Sequence, residues 1–215
     1  MSDQQAELEW RDGMIPVSRR FDDPYFSLQG GLDETRHVFL AGNDLPARFA
    51  DGFHVAELGF GTGLNFLATL QAWRAAGITG RLHFTSFEAY PMATDDLSQA
   101  LAPFADVLPV DILTNGVAAD DVTLTVIKGD ARDTLPMWQG RADAWYLDGF
   151  SPAKNPELWN PALMRAVADH TAKGGTAATY TAAGHVRRSL ELAGFAVERV
   201  TGFGRKRHMT RARLG

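Results

Sequence analysis

The stretch Phe53-His-Val-Ala-Glu-Leu-Gly-Phe-Gly-Thr-Gly63 constrains the fold more than any other part of this 215-residue chain. A short apolar run leads into three glycines at alternate positions. The glycines lead into Leu64–Ala76, where Leu64, Leu67, Ala68, Leu70 and Ala75 recur at helical spacing. Strand, tight turn and helix in that order open a parallel α/β layer. The glycines allow positive φ and let the backbone approach a ligand closely. A plain structural turn also fits them.

The alternation continues. Arg81–Glu88, Val122–Ile127, Ala142–Leu147 and Thr176–Tyr180 read as strands. Thr94–Leu101, Ala131–Trp138, Asn160–Lys173 and His185–Ala193 read as helices. Thr94 is the expected cap of the first of these; Pro161 opens the third and Gly174-Gly175 stops it. Phe195–Val200 and His208–Arg213 read as two strands joined by a basic loop. Residues 1–50 break the rhythm and read as an extension packed on a domain spanning 51–215. Within it, Trp10–Phe26 suggests loops or a short hairpin, His37–Leu40 a strand, and Asn43 or Asp44 the cap of a helix. The expected fold is α/β, a mostly parallel doubly wound sheet with ligands at the carboxyl ends of its strands. A terminal strand pair without an intervening helix departs from the dehydrogenase pattern and is what Rossmann-type methyltransferases carry.

Composition closes other routes. Hydrophobic residues are 45% and charged residues 22% of the chain, which suits a globular protein rather than a disordered or collagen-like one. With no cysteine there is no thiol nucleophile, disulfide or thiolate-held metal, and the six histidines form no metal-like cluster, so no metal site is expected. No apolar run reaches the roughly 18 residues of a membrane span. The polar, acidic start is no signal peptide, and a cytoplasmic location is expected. Residues 1–150 hold 22 acidic against 10 basic side chains, whereas 151–215 hold 4 against 11. That asymmetry suits a cationic small ligand plus a polyanionic partner, or is a solubility pattern that folding mixes.

Four further features carry chemistry. Glu57 before the GxGxG turn would repel a pyrophosphate but suits S-adenosylmethionine, which bears an ammonium and a sulfonium; Gly59, Gly61 and Gly63 form the turn. Glu88 ends the second strand, where a carboxylate can accept from a ribose diol. Asp130 in Lys128-Gly-Asp-Ala-Arg132 can meet an adenine amino group, cap a helix, or both. Asp148-Gly-Phe-Ser-Pro-Ala-Lys-Asn-Pro-Glu-Leu-Trp159 follows a central strand directly, so its carboxylate faces the crevice. Pro152 and Pro156 stiffen the loop, Phe150 and Lys154 are assigned to substrate contact, and Trp159 fits a core. Lys154 also fits a solvated surface. In Gly202-Phe-Gly-Arg-Lys-Arg-His208, Arg205, Lys206 and Arg207, with Arg211 and Arg213 beyond, can bind phosphates or simply decorate a hairpin.

Together with Phe21-Asp-Asp-Pro-Tyr-Phe-Ser27, Glu34–Leu40, Gly42–Leu45 and Phe87-Glu-Ala-Tyr-Pro91, these motifs resemble the methyltransferase domain of the MnmC family and the stand-alone MnmD proteins, along nearly the whole chain. The resemblance implies a Rossmann-type class I methyltransferase. It implies methylation of 5-aminomethyl(-2-thio)uridine at the tRNA wobble position, with S-adenosylmethionine as donor and tRNA as partner. By position, Glu57, Gly59, Gly61, Gly63, Glu88 and Asp130 would line the cofactor, and Asp148 would stand between it and the substrate amine. Separate enzymes would supply the aminomethyl group. The flavin-dependent domain of bifunctional MnmC has no counterpart here, so its activity is not expected. The competing readings are a methyltransferase for a small amine or protein side chain, and a non-catalytic tRNA-binding module on the same fold.

Overall fold

The computed structural model describes residues 5–26, 30–116 and 118–215. Residues 1–4 of the polar start, and Ser27 of the Phe21–Ser27 motif, lie outside the described residues. Three short antiparallel strands come first: β1 (Leu8–Arg11), β2 (Ile15–Ser18) and β3 (Asp23–Pro24). The main sheet has seven strands: β4 (His54–Leu58), β5 (Leu82–Glu88), β6 (Val122–Lys128), β7 (Ala142–Leu147), β8 (Thr171–Thr179), β9 (Phe195–Thr201) and β10 (His208–Leu214). Their order is β6-β5-β4-β7-β8-β10-β9. Neighbours among β4–β8 run parallel, and β10 runs antiparallel to both β8 and β9. This is the doubly wound sheet with a terminal antiparallel pair that the sequence predicts. The winding reverses at β4 and β7, so a crevice forms at their carboxyl ends. The helices are α1 (Gly31–Thr35), α2 (Leu64–Ala75), α3 (Thr94–Leu101), α4 (Asp111–Thr114), α5 (Ala131–Thr134), α6 (Pro161–Asp169) and α7 (Gly184–Leu192).

β7 shows why the sheet is buried on both faces. Ala144 and Tyr146 pack into one core cluster, with Phe66, Leu67 and Phe84; Trp145 and Leu147 pack into the other, with Trp159, Met164 and Val167. Successive side chains of a strand point to opposite faces, so an unbroken apolar run suits a strand covered on both sides. Burying each large side chain contributes about 1.5–3 kcal/mol. Trp159 is core, as its size suggested. On the first face Val38, Phe39, Leu40, Leu45 and Phe49 join the same cluster as Val55 and Leu70.

Four local expectations need correction. His37–Leu40 is not a strand: the chain coils without a break from α1 through Leu40 to Asn43. Val38, Phe39 and Leu40 are consecutive and all buried, because this coil is wedged between the sheet and α2. No helix starts at Asn43 or Asp44. Asn43 is buried, donating to the carbonyls of Phe39 (2.9 Å) and Trp145 (3.3 Å), and Asp44 turns left-handed with φ 58°. Thr94 does not cap α3; Ala93 holds the cap position, with no side-chain bond. Finally, Gly174-Gly175 do not end α6. That helix is capped by Asn160, whose Oδ1 accepts from Leu163 N at 2.9 Å, and it stops at Asp169. The glycines instead form a bulge inside β8, where pairing with β7 slips between Ala142 and Ala144.

Candidate active site

The carboxyl ends of β4, β5, β7 and β8 open on one cavity of about 1060 Å³. Its floor is the glycine turn. Gly59 has φ +89°, and a Cβ there would stand 2.8 Å from the Asp148 carbonyl oxygen; Gly61 has φ +54°. A side chain at Gly59 would therefore meet backbone that cannot give way. Glu88 braces the turn: its two carboxylate oxygens accept from Gly61 N (3.0 Å) and Tyr90 N (2.7 Å). Burial raises its pKa, and those N–H bonds oppose the rise. Asp130 also faces the cavity and caps α5 by accepting from Arg132 N at 2.9 Å. The Arg132 guanidinium lies 2.6 Å from Asp130 Oδ2 and holds that carboxyl below its usual range.

Two members of the glycine motif do not reach the wall. Gly63 caps α2, with φ +75°, and a Cβ there would strike Leu113 Cδ1 at 2.5 Å. Glu57 is fully buried beneath the turn. Ser86 Oγ donates to its Oε2 at 2.8 Å and Asn65 Nδ2 to its Oε1 at 2.9 Å. Burial without a cation raises its pKa well above the ordinary carboxylate value.

Asn65, in the first turn of α2, is the residue that sequence reasoning missed. Its Nδ2 also donates to Asp148 Oδ2 at 2.7 Å, and its Oδ1 accepts from Thr35 Oγ1 at 2.8 Å. One amide thus spans two carboxyls and ties both to α1. Asp148 accepts on its other oxygen from Gly149 N at 2.9 Å. It lines the cavity partly buried, and burial pushes its pKa up to about 6 against the pull of those two N–H bonds.

The loop after Asp148 is clamped by the N-terminal strands. Ser151 N donates to Asp23 Oδ2 at 3.0 Å, and Lys154 Nζ lies 3.2 Å from Asp22 Oδ2 and 3.8 Å from Asp23 Oδ1. Lys154 is thus a cross-brace at the cavity edge. Phe150 stacks on Phe21 with ring centroids 4.6 Å apart and meets Tyr25 edge-on at 5.0 Å. In the basic hairpin the cations separate. Lys206, itself exposed, pairs with Glu34 at 2.7 Å. Arg211 and Arg213 lie on β10 and pair with Asp44 at 2.9 and 3.1 Å, so they do not extend the hairpin's basic patch. Arg205 lines the cavity, Arg207 does not, and both are exposed. Among the described residues no cluster of acids and histidines is shaped to hold a metal ion, and no helix is long and apolar enough to cross a membrane.

A seven-stranded sheet of this order, with a glycine turn and a strand-end acid on one crevice, defines the Rossmann-type methyltransferase fold. A family model described as S-adenosyl-L-methionine-dependent methyltransferase matches residues 95–215, and the chain belongs to that family. S-adenosylmethionine is its methyl donor. A Chromobacterium violaceum protein named "tRNA 5-methylaminomethyl-2-thiouridine biosynthesis bifunctional protein MnmC" is 45% identical over 229 residues, covering 98% of this chain and 34% of the relative. A Vibrio cholerae protein of the same name is 48% identical over 231 residues, covering 95% and 34%. The chain therefore spans about a third of the length of these relatives. The crystal structure of MnmC2 from Aquifex aeolicus superposes with TM-score 0.74 at 26% identity, covering 99% of this chain and 72% of that one. Spermidine synthase from Thermotoga maritima (TM-score 0.57, 11% identity, covering 97% and 72%) shares the fold alone. The residues present fit the donor. Gly59 and Gly61 present backbone rather than side chain to the cavity, whose wall also carries carboxylates from Glu88 and Asp130.

Proposed function

We propose that this chain transfers the methyl group of S-adenosylmethionine to the amine of 5-aminomethyl(-2-thio)uridine at the tRNA wobble position, giving the 5-methylaminomethyl form. The observation that carries this reading is the Asp148 carboxylate, facing the cavity and held on both oxygens by N–H donors. The names of the relatives support the substrate. We read residues 51–215 as the methyltransferase domain and 1–50 as an extension packed on it, supported by the shared core cluster. Separate enzymes would supply the aminomethyl group, and the work would be done in the cytoplasm.

When bound, the donor supplies a methyl on a sulfonium, already activated for displacement. What this chain adds is alignment. Glu88 holds the ribose diol and Asp130 the adenine amino group, over the backbone of Gly59 and Gly61. Asp148 would accept a hydrogen bond from the neutral amine and orient its lone pair for transfer, and the proton that the methylated amine must lose would pass to Asp148 or to water. Phe150 contacts the substrate base, and Arg205 and Arg207 contact RNA phosphates. The test is incubation with labelled S-adenosylmethionine and tRNA lacking this methyl group, followed by nucleoside mass analysis. The reading fails if the protein binds the donor yet no 5-methylaminomethyl nucleoside forms.

Two expected results follow from these roles. Glu88→Ala removes charge-assisted hydrogen bonds worth about 1.5–3 kcal/mol, so donor affinity falls about tenfold or more. It also frees the Gly61 and Tyr90 N–H groups. Unchanged affinity by calorimetry would remove Glu88 from the donor site. Arg205→Ala with Arg207→Ala weakens tRNA binding and flattens its salt dependence, by about one unit of slope per lost phosphate contact. Matching affinity and slope in the variant would place the RNA elsewhere.

A further inference from the structure

The lysines at one end of the chamber are each spent on a carboxylate. Lys154 lies against Asp22 and Asp23. Lys206 lies 2.7 Å from Glu34 Oε1, with its Nζ 3.9 Å from the centroid of the Tyr180 ring. Tyr180 in turn donates to the Gly149 carbonyl at 2.7 Å, directly beside Asp148. Asp148 meets only N–H donors. Among the described residues, then, Asp148 has no cation in contact.

A methyl acceptor must be a neutral amine, because an ammonium has no lone pair to give. Every uncompensated carboxylate nearby stabilises the ammonium, and every cation opposes it. We infer that Lys206 serves the chemistry rather than the RNA backbone: by cancelling the charge of Glu34, which lines the same cavity as Asp148, it keeps the acceptor amine neutral. This rests on the amine substrate proposed above. Both charges are felt at Asp148, whose carboxyl is drawn down by Lys206 and pushed up by Glu34. Other groups facing this end are Tyr180 from the end of β8, Asp23 from β3, Lys154 from the Asp148 loop and Arg205 from the hairpin, and buried Glu57 from β4 shares the Asn65 amide with Asp148. His37 lies behind the wall, its Nε2 3.1 Å from the Thr201 carbonyl oxygen.

The test is single-turnover methylation of aminomethyl-tRNA against pH, with donor and tRNA saturating. Lys206→Met leaves Glu34 uncompensated and removes a positive charge felt at Asp148, so the amine and Asp148 both hold their protons to higher pH. The acid limb should move up by about one pH unit, a roughly tenfold loss on that limb that fades toward high pH. Lys206→Met combined with Glu34→Gln removes the pair as a unit and should return the limb to its parental position. A lysine that only braces Tyr180 or contacts phosphate would give an equal loss at every pH, with no rescue by Glu34→Gln. Either an unmoved limb in Lys206→Met or a failed rescue in the double variant overturns the inference. If the parent protein does not methylate this tRNA, the substrate reading falls and the inference with it.

Discussion

Asp148→Ala should slow single-turnover methylation by about 100-fold or more, with donor and tRNA binding checked separately. The carboxylate sits at the end of β7 with Oδ2 fixed by Asn65 and Oδ1 by Gly149 N, so it is an acceptor already oriented before substrate arrives. Alanine cannot accept from the amine, and the freed space admits water. Asp148→Asn is the sharper probe. Both carboxylate oxygens accept from N–H donors, and an amide has one acceptor oxygen, so its NH2 must face either Asn65 Nδ2 or Gly149 N. The Asn variant should fall between parent and Ala if orientation dominates. It should match Ala if charge or proton acceptance matters. Near-parental rates in Asp148→Ala would make this a structural strand-end acid and move the chemistry elsewhere.

Asn65→Ala should produce the next largest loss, about ten- to a hundredfold in turnover at saturating substrates. Asn65 acts through Asp148 and is a positioning residue. Its loss leaves Thr35 Oγ1 and Glu57 Oε1 short of a buried partner, each at a cost of about 1–3 kcal/mol in stability. It also removes a bond that holds the Asp148 carboxyl down, so that group should titrate above about 6. Asp148 would then keep its proton over a wider range, and the deficit should be greater at pH 6–7 than at pH 8. A purely structural residue would lower thermal stability with an equal activity deficit at every pH. A pH-independent deficit would therefore refute the positioning role.

Much of this architecture was legible because parallel strands announce themselves as apolar runs ending in punctuation. Glu88 and Asp148 follow such runs directly, and both face the cavity. Asn65 was not legible as a site residue, since nothing in Leu64-Asn-Phe-Leu distinguishes a helical polar residue aimed at two carboxyls from a solvated one. Its partner Thr35 lies 30 residues away on α1. His37–Leu40 misled for a different reason. Four residues carry no decisive periodicity, and a coil buried on several sides shows the same apolar run as a strand. Gly174-Gly175 read only as a helix stop, but α6 already ends at Asp169 and β8 begins at Thr171, so the glycines fall inside a strand as a bulge, a role the local sequence does not separate from a helix stop. Glu57 read as an acid before the turn that lines the cofactor, but it is buried beneath the turn, and its depth depends on Ser86 of the adjacent strand, which lies beyond local spacing.

The placement of β10 bears on how the molecule is made. It is the last strand of the sheet in chain order yet lies between β8 and β9, pairing with Thr176–Thr179 on one side and Phe195–Thr201 on the other. A polypeptide emerging from a ribosome can assemble the parallel strands, the glycine floor and the Asp148 shelf while the outer edge of β8 still lacks a neighbour. The β9–β10 hairpin can form locally, but docking it on β8, as in the Thr210–Thr179 pair, joins residues further apart in sequence, and such contacts form more slowly. The same event brings Lys206 to Glu34, so the nascent enzyme would have its donor cradle before it has the wall that sets the charge of its reaction chamber.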